Sequence, residues 1–205
     1  MVFIDRPVAL FFNEHRELRR LFQLCATPSL LSLPLAALYL IWSVLWRLTG
    51  RRLPGRNDVL LAMSLATLAG TTAKDELKWI IGRPWPDAWL HAGLYRPSPF
   101  ARGEAYGSFP SGHTAYIAAP MFALAIMLPR YRLPAFAIIC AVMVGLVGAD
   151  YHFVGDVVAG LFTGLAAAAG TVVMMRKAQD KPWDNPPENV QSLLDVKQTY
   201  SESRH

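Results

Sequence analysis

The chain has 205 residues, 53% hydrophobic and 17% charged, with a formal net charge of +5. A soluble domain usually carries about a quarter charged residues, so the composition argues against an ordinary water-soluble globule. The basic residues sit at the flanks of apolar blocks, with no stripe and no interleaved aromatics, which argues against a nucleic-acid-binding surface.

In chain order, the opening "MVFIDRPVALFF" is too short an apolar run for a signal peptide and runs at once into Asn13, Glu14, His15 and Arg16. Residues 8–24 read instead as an amphipathic helix. Leu10, Phe11, Leu18, Leu21, Phe22 and Cys25 recur at helical spacing, with Arg16, Arg19 and Arg20 between them. Such a helix lies in the membrane surface or packs at a bundle edge. Residues 21–46, 59–73, 105–129, 133–149 and 157–175 then contain no Asp, Glu, Lys or Arg. A bilayer core takes about 20 helical residues, so the blocks predict five membrane spans, over 28–46, 58–77, 113–129, 133–149 and 156–175. The expected fold class is an all-α integral membrane helix bundle with an N-terminal interfacial helix. Residues 1–178 form one membrane-embedded domain. Residues 179–205, polar and proline-bearing, form a mobile tail with a short helix near 188–197.

Cys25 and Cys140 lie in apolar runs and read as two buried small hydrophobes, not a disulfide or metal pair. Gly160 and Gly164 make a Gly-x-x-x-Gly step, a helix-packing feature without chemistry. Loop 47–57 carries four arginines, loop 130–132 is "RYR", and the last span runs into Arg176, Lys177 and Lys181. Five spans put these on one side, which the positive-inside rule assigns to the cytoplasm. The N-terminal helix and the loops 78–112 and 150–156 fall on the other side.

Three stretches there are polar where apolar residues are expected, all within 74–156. "KDELKWIIGRPWP" (74–86) places Lys74 and Lys78 a helical turn apart before Gly82, Pro84 and Pro86 break the helix. "SFPSGHTAY" places Ser111 and His113 at a helix N-terminus, whose free N–H groups suit an anion. "DYHFVGDVVAG" puts Asp156 four residues after His152, close enough in a helical turn to fix the tautomer of the ring and raise its basicity. Each piece also has a structural reading: a hydrogen-bonded interfacial histidine, a snorkelling lysine, a capping aspartate. Two histidines, a carboxylate, cations and a helix N-terminus on one side together suit phosphoryl transfer without a metal. Zinc or iron ligation is the rival, but no His-x-x-x-His or Cys pair accompanies these residues and the nearby cations would repel a metal.

At these residues the sequence resembles the type 2 phosphatidic acid phosphatase superfamily, the membrane lipid phosphatases related to vanadium haloperoxidases. The family pattern is a Lys followed after six residues by Arg-Pro, then Pro-Ser-Gly-His, then Ser-Arg, five residues, His, three residues, Asp. "PSGH" at 110–113 and "HFVGD" at 152–156 match, Lys78 holds the first-motif Lys position and Pro86 its Pro. The resemblance covers 58–175. It departs at two places: the first-motif Arg falls on Trp85, and the third-motif Ser-Arg on Gly145 and Leu146. The resemblance implies that His152 is the nucleophile, that Asp156 orients it, and that His113 is general acid and then base. It implies that Lys78 and Arg83 grip the phosphate, helped by Ser111 and the Gly112 backbone. Arg83 is the expected stand-in for the arginine lost at Trp85, with Lys74, Arg96 and Arg102 as further cations. The implied activity is a metal- and cofactor-free phosphatase acting on a lipid phosphate, its partners that substrate and membrane lipids. The implied location is the inner membrane, with an extracytoplasmic site. A lipid head-group phosphotransferase and a non-enzymatic lipid-phosphate binder are the alternatives.

Overall fold

The computed structural model describes residues 2–50, 57–101, 103 and 105–179. Among them the elements are helices, with one isolated antiparallel bridge between Pro84 and Tyr106. The tail helix expected near 188–197 lies outside the described residues. Contacts divide the chain into Met1–Val172 and Val173–His205, the second described only as helix over 173–179.

The expected single helix over 8–24 is two helices, α1 (Val2–Glu14) and α2 (Arg19–Ala26), separated by a 3₁₀ turn at Arg16–Leu18. The polar run between them supplies the reason. The His15 ring donates from Nδ1 to the Phe11 carbonyl at 2.8 Å, and Arg16 Nε donates to the Asn13 carbonyl at 3.0 Å. These side chains take up the carbonyls that end α1, and the chain turns there.

The apolar blocks become α3 (Pro28–Leu48), α4 (Asn57–Ile81), α6 (Gly112–Met127), α7 (Arg132–Gly148) and α8 (Val154–Gln179), with the short α5 (Pro86–Ala92) before α6. Among the described residues, three helical runs are long and apolar enough to cross a bilayer: Arg16–Leu48, Pro129–Gly148 and Val154–Gln179. The 16 residues of α6 rise only about 24 Å. Their environment compensates: ten of them are buried, from Gly112 to Ala125, whereas α3 buries only Ser29, Ala36 and Ser43. Thus α6 is the central helix and α3 a peripheral one.

Small residues let the backbones close on α6. A Cβ on Gly160 would stand 2.5 Å from the Ser111 carbonyl oxygen, and one on Gly164 2.6 Å from Ala118 Cβ. Neither position admits a side chain, so α8 rides directly on α6. On α4 the buried residues Ala62, Ala66, Gly70 and Lys74 recur every four positions. This small-residue face packs on α6 and carries Lys74 to its end, beside Gly112. A core of Ala26, Ile117, Val142, Leu146 and Val157 joins α2, α6, α7 and α8.

Outside, α3 exposes Leu31, Leu35, Leu38, Ile41, Val44 and Leu45, an apolar surface too extensive for a protein in water. Cys140 corrects an expectation: it is exposed on α7, while Cys25 is part-buried, and both are free thiols. The apolar run around Cys140 faces outward because α7 turns its other face, through Ala135, Ile139, Val142 and Leu146, to the core.

Candidate active site

Where α4 ends and α6 and α8 begin, the chain brings distant segments together. Gly82, with φ +56°, ends α4. The following extended segment is pinned by Gly107 N and Ser108 N donating to the Arg83 carbonyl at 2.8 and 2.9 Å, and by Trp85 N donating to the Ala105 carbonyl at 3.2 Å. Ser111 N donates to the Asp156 carbonyl at 2.9 Å, which ties the start of α6 to the first turn of α8.

His152, 3% exposed, sits just before α8. Its Nδ1 lies 3.6 Å from Asp156 Oδ2 and 3.5 Å from Ser108 Oγ, so Nε2 is the nitrogen turned away from this pair. The indole of Trp85 packs against the ring at 4.9 Å between centroids. The ring of His113, in the first turn of α6, stands 6.3 Å away at 65°. Burial is the largest influence on His152 and lowers its pKa, with Asp156 opposing. The ring is therefore neutral near neutral pH, as a nucleophile must be.

Asp156 is fully buried and both its carboxylate oxygens accept hydrogen bonds. Oδ2 accepts from Ser108 Oγ and from Phe153 N at 3.1 Å, and Oδ1 accepts from Arg83 at 2.7 Å. Arg83 also donates to Asp5 Oδ2 at 2.7 Å and to the Tyr95 hydroxyl at 3.2 Å, with its guanidinium carbon 4.4 Å from the centroid of the Phe153 ring. Asp5 Oδ1 in turn accepts from Gly155 N at 2.9 Å and caps α8. Burial works against the charge on Arg83, but Asp156, Asp5 and Tyr95 override it and raise its pKa. The result is a buried Asp5–Arg83–Asp156 row, a carboxylate–guanidinium–carboxylate arrangement that locks α1 to the root of α8.

A cleft of about 790 Å³ opens on His113 and His152. Trp85, Pro86, Asp87, His91, Asp150 and Tyr151 line it, and so do Asn13, Arg16, Arg19 and Leu30 from the N-terminal segment. The three expected catalytic residues are thus brought together: His113 and His152 face the cleft and Asp156 lies behind. The expected phosphate-binding residues are placed differently. Arg83 is held between two carboxylates and is not among the cleft-lining residues. The Ser111 hydroxyl caps α6, accepting from Thr114 N at 3.3 Å, and Gly112 packs on the Lys74 stem. Lys78 Nζ donates to the Gly107 carbonyl at 2.5 Å and lies 4.9 Å from the Trp85 ring centroid, and Lys74 pairs with Asp75. Arg96 is exposed outside the cleft, and Arg102 lies outside the described residues.

Sequence reasoning missed Asp5, Ser108 and the two arginines of the N-terminal segment. One signal was available for Asp5, an acidic residue inside an otherwise apolar opening. Its partner 78 residues on was not visible in the sequence. Asp150, beside His152, has its carboxyl pKa pushed up to about 6, by burial first, with Arg19 and Arg16 opposing.

A family model described as the PAP2 superfamily matches residues 57–180. Among curated proteins, a lipid A 1-phosphatase of Rhizobium johnstonii is 44% identical over 92 residues, covering 43% of this chain and 36% of that protein. A lipid A 1-phosphatase of Rhizobium etli matches at the same identity and length, covering 38% of its chain. The chain therefore spans little more than a third of the length of the curated relatives it matches. Among solved structures, a transmembrane PAP2-type phosphatidylglycerolphosphate phosphatase of Bacillus subtilis superposes with a TM-score of 0.52 at 19% identity, covering 84% of this chain and 85% of that one. That likeness is one of fold.

Proposed function

The chain belongs to the PAP2 superfamily, and from that premise we propose that it is a metal-independent phosphatase of a membrane lipid phosphate. The observation that carries the proposal is the pair of imidazoles on the cleft, His113 across from His152, with Asp156 behind His152. His152 Nε2 attacks phosphorus and forms a phosphohistidine while the P–O bond to the lipid breaks. His113 gives its proton to the leaving oxygen. Water then attacks phosphorus, His113 takes a proton from it, and the P–N bond breaks to release inorganic phosphate. Asp156, 3.6 Å from Nδ1 and linked to it through the Ser108 hydroxyl, orients the ring and stabilises the charge that develops on it. Arg83 and Asp5 act behind Asp156 as positioning residues. No step in this sequence needs a metal.

The Rhizobium relatives are named for removing the 1-phosphate of lipid A, so lipid A 1-phosphate is the first substrate to test. The reading includes five spans, α3, α4, α6, α7 and α8, in the inner membrane. Arg47, Arg130 and Arg132 lie at the end of the bundle opposite the site, which by the positive-inside rule supports an extracytoplasmic cleft.

The test is phosphate release by the purified chain from lipid A 1-phosphate, phosphatidylglycerol phosphate and phosphatidic acid, with and without a chelator. Release that the chelator leaves unchanged and that His152→Ala abolishes is the expected result. Chelator inhibition reversed by zinc would overturn the metal-free mechanism. Transfer of the phosphoryl group to a second lipid without free phosphate would make the chain a phosphotransferase.

A further inference from the structure

The family pattern places cations in the site at three positions, and two of them hold none; the third, Lys78, and the stand-in Arg83 are both already bonded within the protein. Trp85 and Leu146 are apolar, Lys78 is bonded to the Gly107 carbonyl, and Arg83 is bound between Asp5 and Asp156. Two arginines nevertheless line the cleft. Both come from the N-terminal segment, Arg16 from the 3₁₀ turn and Arg19 from the first turn of α2.

Their placement follows from how α2 is seated. Phe22 lies across two glycines of α7: a Cβ on Gly145 would stand 2.6 Å from the Phe22 carbonyl oxygen, and one on Gly148 2.4 Å from the Phe22 ring. Gln23 Nε2 donates to the Tyr151 hydroxyl at 2.9 Å. Arg19 is four residues before Gln23 on the same helical face, which carries it over the 150–152 loop and into the cleft. Arg19 Nε is buried and has no hydrogen-bond partner among the described residues. A buried donor without an acceptor is costly and is satisfied by an anion more strongly than by a neutral group. Arg16 is braced alongside by Asn13, whose carbonyl accepts from Arg16 Nε at 3.0 Å. Of the acids lining the cleft, Asp87 pairs with His91 at 3.2 Å and Asp150 lies in the field of Arg19 and Arg16; among the described residues no carboxylate stands within ion-pair distance of either arginine, and Arg19 Nε is left for a further anion.

We propose that Arg16 and Arg19 form the anion-binding subsite of this cleft and hold a phosphate group of the substrate. The subsite is supplied by the N-terminal segment, outside the stretch that carries the PAP2 motifs. In its lipid form the proposal rests on the phosphatase reading; in its chemical form it requires only a phosphate. Arg19 bears the larger share, because its Nε is buried and unpartnered among the described residues, whereas Arg16 is exposed and donates from both Nε and Nη2 to Asn13.

The test uses the full chain in detergent, with inorganic phosphate as probe, titrated calorimetrically, beside lipid phosphate turnover. Arg19→Ala and Arg19→Gln are expected to weaken phosphate binding at least tenfold, Arg16→Ala less. Arg19→Lys recovers part of the binding, because an ammonium lacks the bidentate fork. Thermal unfolding identifies any variant that fails to fold, and Arg19→Gln, close to arginine in length but uncharged, then stands for Arg19→Ala. A loss concentrated in kcat on a lipid monophosphate means that the arginines hold the reacting phosphoryl group. A loss confined to KM for a bisphosphorylated lipid means that they hold a second phosphate. Phosphate binding by a folded Arg19→Gln within twofold of the parent overturns the proposal, as does a parent chain that binds no phosphate. If the parent binds phosphate through Arg19 but hydrolyses no lipid phosphate, the phosphatase reading falls and the subsite stands.

Discussion

His152 and Arg83 are both buried polar groups at the root of α8, yet their surroundings suit opposite tasks. Burial lowers the pKa of His152 below its ordinary value of about 6.5, so the ring stays neutral until the pH falls through that lowered value. The acid limb of kcat/KM that belongs to this group is therefore expected below pH 6.5, with activity lost as pH decreases. Asp156 is the main influence holding the pKa up, so Asp156→Asn should move the titration to still lower pH. Histidine NMR across a pH series reads this directly, and titration of His152 at or above its ordinary value would contradict the assignment. Arg83 is bound on both sides by carboxylates, and Arg83→Ala would leave Asp5 and Asp156 buried without their cation. Breaking a buried ion pair by removing one partner typically costs about 3–5 kcal/mol. Arg83→Ala is expected to lower the unfolding midpoint and kcat together. An unchanged midpoint with a raised KM would instead mean that Arg83 contacts substrate.

The N-terminal helices are the least expected elements. Nothing in their amphipathic pattern distinguishes a helix resting on lipid from one that closes an active site. The two are separated by particular contacts: Asp5 of α1 reaches Arg83 and Gly155, and Phe22 of α2 fills the space above Gly145 and Gly148. That space exists because third-motif positions and their neighbours are small or apolar here. Gly148→Ala would put a methyl group against the Phe22 ring, and overpacking of this kind costs about 1–3 kcal/mol. It is expected to loosen α2 and to lower phosphate affinity as Arg19 withdraws. Combining it with Phe22→Leu, which makes room, should restore part of both. Phosphate affinity in Gly148→Ala equal to that of the parent would show that α2 does not position the arginines.

At the scale of the molecule, the bundle places all its chemistry at one end. The loops after α4 and α7 and the first turns of α6 and α8 meet there, and Arg47, Arg130 and Arg132 lie at the other end. If the cleft is extracytoplasmic, a cysteine at exposed position 92, at the end of α5, should react with an impermeant thiol reagent in intact cells. The background for that experiment removes Cys25 and Cys140, the latter exposed on the apolar face of α7. Labelling only after lysis would invert the topology.

The positions of α3, α4, α6, α7 and α8 were legible in the sequence because an uncharged run long enough to approach bilayer thickness admits few structures other than a helix. The two histidines and Asp156 were legible for a local reason: Pro-Ser-Gly-His sets a helix start, and a four-residue spacing in a helical turn brings His152 and Asp156 within reach. Which cations face the cleft was not legible. Proximity in sequence favoured Arg83, two residues from the lost arginine position, but side-chain direction is set by partners that tertiary structure supplies. Asp5, 78 residues away, together with Asp156 turns Arg83 inward, and Gly145, Gly148 and Tyr151 draw α2, with Arg19, over the open side. Periodicity and spacing determined the helices and the pairing of His152 with Asp156. Long-range ion pairing and backbone-to-glycine packing decided what surrounds the cleft.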